Sequence, residues 1–134
     1  MGVEHGPVPA LAYRVAVGGW VVVFAGDANG TNAHLGRFAR GAQVLVMHHA
    51  VPQAARGVAA RLHARPSEIA AIAAAAGVPV LVLSHHMARS LADLPAALRT
   101  IRTRYPGRVV VARDHTCVPL PGPRARPRLS HPPG

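Results

Sequence analysis

Three short apolar runs, each ending on side chains able to hold a metal ion, constrain this chain more than any other feature. Val21-Val-Val-Phe-Ala25 leads into Gly26-Asp27, Val44-Leu-Val-Met47 into His48-His49, and Val78-Pro-Val-Leu-Val-Leu83 into Ser84-His85-His86. Runs this short and this uniformly apolar predict buried strands. A strand at Ala10–Val17 precedes the first of them across Gly18-Gly19, and two glycines between β-rich runs predict a hairpin. Arg108–Ala112 predicts a last strand, and Thr116-Cys-Val118 a further short one.

Helical patterns separate the strands. Asn32 is placed to cap a short helix through Arg40, with Leu35 and Phe38 inward and Gly41 ending it. Pro66–Ala76 has proline in its first turn, Glu68 at its positive end and Gly77 at its C-cap. Leu91–Tyr105 spaces Leu94, Leu98 and Ile101 for burial and leaves Arg99, Arg102 and Arg104 mostly outside. Pro52–Ala64 is loop with some helix. Strands alternating with helices make an α/β organisation. Sites in such layers assemble at the C-terminal strand edge, where Asp27, His48-His49 and His85-His86 all fall.

Length and composition narrow the function classes. A chain of 134 residues is one domain or part of one. Its single cysteine, Cys117, excludes a disulfide framework and a Cys-rich zinc site, and is read as a core residue. No basic start runs into an apolar core, so no secretory signal is expected and the reading is cytoplasmic. The longest uncharged apolar stretch, Ile69–Leu83, is too short for a bilayer and holds Gly77 and Pro79, so no membrane partner is expected. The net charge is +10, and every basic residue is Arg, which with abundant Ala, Gly and Pro reads as the composition of a GC-rich gene with solvated arginines rather than as a functional signal. Such a chain attracts polyanions non-specifically, but 4% aromatic residues leave little for base stacking, which keeps nucleic acid as a secondary reading. Six prolines between Pro119 and Gly134 predict a disordered tail after a domain at 1–118.

Nine histidines against five acids is a metal-binding composition. Asp27 after a strand and a glycine exposes its carboxylate, although a turn aspartate accepting backbone N–H bonds would look the same. Each His-His step could equally hold interior histidines bonded to carbonyls. His63 lies in a loop just before a helix. His5, His34 and His115 read as surface residues, and His131 falls in the tail. A P-loop lysine and a Gly-x-Ser-x-Gly elbow are both absent from the sequence.

Taken in order, four segments resemble the C-terminal half of the metallo-β-lactamase fold, closest to its RNase Z and arylsulfatase-like metallo-hydrolases. They are Val21–Asp27, Val44-Leu-Val-Met-His-His-Ala50, His63-Ala-Arg-Pro-Ser-Glu-Ile-Ala70 and Gly77–His85. The resemblance spans roughly residues 3 to 118. It implies a four-layer αββα fold of which this chain holds one β/α half. It implies a two-metal site, with zinc first and manganese or iron as alternatives. Asp27 would bridge the metals and orient the nucleophile, and His85 would ligate the second metal. His63 would be general acid or oxyanion stabiliser, and His48 would support the pocket or hold His63. His49 stands where the family has a glutamate, which removes a carboxylate partner for His63. The family signature His-x-His-x-Asp-His is absent, and so, on this reading, is the ligand histidine between that signature and Gly-Asp. The chain therefore reads as a C-terminal portion.

The expected function is metal-dependent hydrolysis of a small ester, sulfate or phosphodiester. The expected partners are that substrate and either an N-terminal half or a second copy of the chain. The alternatives are an inactive fragment or binding module of the same fold, and a basic nucleic-acid-binding protein.

Overall fold

The computed structural model describes residues 1–32 and 34–122. Positions 123–134, most of the expected tail, lie outside the described residues. The chain opens with two short strands, β1 (Gly2–Val3) and β2 (Ala10–Leu11), paired antiparallel. A five-stranded sheet follows, made of β3 (Tyr13–Val17), β4 (Trp20–Phe24), β5 (Val44–His48), β6 (Val80–Ser84) and β7 (Arg108–Val111). The strands lie in sequence order; β3–β4 is antiparallel and the rest are parallel. The hairpin turn is the expected one: Val17 pairs with Trp20, and Gly18 and Gly19 both take positive φ, as a two-residue loop requires.

The helices are α1 (Leu35–Phe38), α2 (Gly57–Leu62), α3 (Pro66–Ala76), α4 (Ala88–Leu91) and α5 (Leu94–Arg102). Parallel crossovers are right-handed, so strands laid down in unbroken order carry every crossover to the same face. The packing follows. One core gathers Val23, Leu45, Met47, Leu81 and Leu83 from the sheet with Leu35 of α1, Ile69 and Ala73 of α3, and Ile101 of α5. The opposite face forms a smaller cluster of Val44, Val80 and Val82, flanked by Val22, Val46, Val110, Ala112 and Val118; among the described residues no helix contributes to it.

Helix α3 begins and ends as expected. The Arg65 N–H donates to the Glu68 carboxylate at 2.7 Å, the Ser67 N–H donates to Gln53 Oε1 at 2.9 Å, and Gly77 closes the helix at φ +63°. The helix expected over Leu91–Tyr105 is shorter. It starts at Leu94 because Pro95 lacks an N–H and belongs in a first turn. It stops before Tyr105, whose buried ring turns in and donates its hydroxyl to the Val78 carbonyl at 2.9 Å. Thr116–Val118 forms no strand, and Cys117 is exposed rather than in the core, because the chain after Val111 leaves the sheet in a turn. No helix of the described residues is long and apolar enough to cross a membrane.

Candidate metal centre

The C-terminal ends of β4, β5 and β6 converge on one carboxylate. Gly26 takes φ +63°, and a Cβ there would stand 2.6 Å from the Leu11 carbonyl oxygen, so the turn that presents Asp27 needs glycine. Oδ1 of Asp27 accepts a hydrogen bond from Nδ1 of His48 at 2.8 Å. Nδ1 of His63 lies 3.4 Å from the same oxygen and Nε2 of His85 3.8 Å. The rings of His48 and His85 stack with centroids 4.5 Å apart. Burial alone would raise the Asp27 pKa, but the hydrogen bond from His48 and the positive potential of His48, His85 and His5 hold it below the ordinary carboxylate value.

His63 caps the end of α2 and is buried. Desolvation lowers its pKa; Asp27 opposes that shift without cancelling it, and His5, His85 and Arg89 reinforce it. Its Nδ1 is buried and has no aligned hydrogen-bond partner.

His5, read from the sequence as a surface residue, is half-buried in the same cluster. Its Nδ1 lies 2.8 Å from the Leu62 carbonyl. A carbonyl only accepts, so Nδ1 carries the proton and Nε2 keeps its lone pair. Its ring meets that of His63 edge-on, with centroids 5.1 Å apart. The N-terminal arm is held there by the Asn29 N–H, which donates to the Glu4 carbonyl at 2.8 Å, while the Asn29 side chain donates to the Arg61 carbonyl at 2.7 Å. No local signal marks His5, because its partners, Leu62 and His63, lie 57 or more positions away.

Two groups of candidate ligand atoms result, His5 with Asp27 and His63, and Asp27 with His48 and His85; within each, the atoms lie within 4.8 Å of one another. Asp27 belongs to both. The sequence-expected residues Asp27, His48, His63 and His85 are thus brought together, and His5 joins them. His48 reaches Asp27. His34 and His115 are exposed, as expected.

The second histidine of each step points elsewhere. His49 is fully buried on the helix-covered side, with its Nδ1 3.2 Å from Nδ1 of His86. Burial, then the neighbouring His86, pushes its pKa down to about 4, against the pull of Asp93.

No family model and no curated protein matches the chain. Solved structures do. The metallo-β-lactamase fold protein YhfI from Bacillus subtilis superposes with TM-score 0.73 at 24% identity, over 84% of this chain and 45% of that one. Unliganded yeast PDE1 superposes with TM-score 0.58 at 14% identity, over 84% of this chain and 42% of that one. The chain thus spans less than half of either protein, and over that span its fold is that of the metallo-β-lactamase proteins.

Proposed function

We propose that this chain provides the Asp27-centred side of a two-metal hydrolase site. The observation that carries the reading is the pair of ligand groups sharing Asp27. The residues fit divalent cations on their own terms. A carboxylate can bridge two ions, and three protein ligands per ion is the usual catalytic zinc set. His5 already shows the arrangement of a ligating imidazole: its Nδ1–H is tied to a backbone carbonyl and its Nε2 is free to bind. The unpartnered buried Nδ1 of His63 is a second ligand-ready atom.

Divalent cations held there would activate a water near neutral pH and polarise the substrate oxygen. The chain's own residues supply the rest. Asp27, fixed by the His48 hydrogen bond, keeps its carboxylate ionised and oriented. His63, kept neutral by burial, keeps the lone pair that a ligand needs, and in that role its imidazole is not the general acid–base. Phosphodiesters and sulfates stand beside simple esters as the substrates this reading expects. Zinc is the first candidate for this nitrogen and oxygen donor set, with manganese and iron as alternatives.

The helix-free face, buried at Val44, Val80 and Val82 but exposed at Tyr13, Val15 and Phe24, supports a partner at its β3–β4 end. Its rows end at His48 and Ser84, so a second apolar layer laid on it would wall the site. We assign that layer to an N-terminal-type half; YhfI and PDE1 are each more than twice as long as the span they share with this chain. Metal content of the purified chain tests the site. We expect about two ions per chain in the native protein, loss of both in Asp27→Ala, and loss of one in His5→Ala. Native protein with no more metal than Asp27→Ala would end the reading.

A further inference from the structure

The two His-His steps sit side by side at the ends of β5 and β6, and each splits its rings between two sides of the sheet. On β5 the split is ordinary strand alternation: Val44, Val46 and His48 face the bare side, while Leu45, Met47 and His49 face the helices. On β6 the same alternation sends Leu83 to the helices and Ser84 to the bare side, and would send His85 back to the helices beside His49. It does not. His85 takes φ +51°, in the left-handed region, and alternation breaks there. Its ring instead stacks on His48 and approaches Asp27, and His86 takes the place beside His49.

A left-handed side chain other than glycine is uncommon; among the described residues the other case is His115, in an exposed turn, whereas His85 directly follows a strand where its neighbours are packed. Behind His85, Nδ1 of His86 meets Nδ1 of the fully buried His49 at 3.2 Å, with the rings edge to face. The other nitrogen of each ring, Nε2, is buried without a hydrogen-bond partner, so the Nδ1–Nδ1 bond is the one these two rings make. The ladder is anchored at the same point, where the His49 N–H donates to the Ser84 carbonyl at 2.7 Å. We infer that the His49–His86 pair is a positioning clamp: its hydrogen bond holds His85 left-handed and so turns the His85 ring toward Asp27 instead of into the helix-side core. His49 and His86 touch no reacting group in this role. The metal part of the inference rests on the two-metal reading above; the conformational part does not.

The test uses His86→Ala, which truncates a half-buried loop residue, and His86→Asn, whose amide keeps a hydrogen-bonding atom near the place of Nδ1. In the metal-free chain, the NH–Hα coupling and carbon shifts of His85 report its φ by NMR. A Co2+ titration reports affinity, and its visible spectrum reports ligand geometry. We expect His86→Ala to lose the left-handed signature at His85, to change the cobalt spectrum and to weaken Co2+ binding about 10- to 100-fold, the usual effect of removing a residue that orients a ligand. We expect His86→Asn to restore all three. His49→Leu, which keeps the buried volume and removes the bond, serves as the disrupting variant if His86→Ala loses its melting transition. The clamp is overturned if His85 stays left-handed in the bond-removing variant, or if His86→Asn is as impaired as that variant. Native protein that binds no Co2+ would sink the two-metal reading and leave the clamp to be decided by the His85 coupling alone.

Discussion

The two faces of the sheet are built from nearly the same residues and have opposite fates. On one face, Val23, Leu45 and Leu81 are closed off by α1, α3 and α5 and have no exposure. On the other, a row of Tyr13, Phe24, Val46, Val82 and Val110 runs from side chains 59% and 45% exposed at the β3 edge to Val82, which is buried. Hydropathy does not separate them; topology does. Strands added in one direction send every right-handed crossover to one side. Large exposed apolar patches mark contact surfaces in soluble proteins. The uncovered part of this face is its β3–β4 end, while Val44, Val80 and Val82 on the central strands are buried.

This contrast can be sharpened or broken by substitution. The largest effect should come from the covered face. Leu81→Ala is expected to destabilise the chain by about 2–5 kcal/mol, because α3 and α5 cannot collapse into the gap; chemical denaturation would read it, and a loss below about 1 kcal/mol would mean that this face is loosely packed. Tyr105→Phe should cost less, about 1–3 kcal/mol, by leaving the Val78 carbonyl unpaired.

Tyr105 also sets an alkaline limit. Burial pushes its pKa up to about 12 from 10.0, so the folded state holds the phenol proton more tightly than the unfolded chain. Its contribution is whole below pH 10 and is lost as pH rises toward 12, roughly 3 kcal/mol in all. Melts taken across that window should lose this slope in Tyr105→Phe; an unchanged slope would assign it to another group.

The smallest effect belongs to the bare face. Val15 is 47% exposed on the edge strand, so Val15→Lys should shift stability by no more than about 0.5 kcal/mol while improving solubility. A loss as large as that of Leu81→Ala would show that the face is already covered, by a second copy or another layer. Sedimentation of both proteins would reveal that cover.

Much of this could be read from local pattern. The apolar runs, the glycine pair, and Pro66 with Gly77 are short-range signals, and the hairpin and α3 formed where those signals lay. Errors arose where a distant contact decided the outcome. The helix before Tyr105 ended early because that ring found the Val78 carbonyl. Cys117 stayed outside because no strand formed to carry it inward. His5 looked like a surface residue because nothing near it in sequence explains it; its partners are Leu62 and His63.

The sequence by itself determined that strands would end in Asp27, His48-His49 and His85-His86, since apolar runs and their polar stops are local properties. The resemblance already assigned His48 and His85 to the site; only the tertiary structure decided how the β6 pair turns His85, and not His86, toward the carboxylate. That choice depends on one left-handed backbone angle at His85 and on a hydrogen bond between residues 37 positions apart. Neither leaves a mark on the order of residues, because both are set by what the neighbouring strand places opposite.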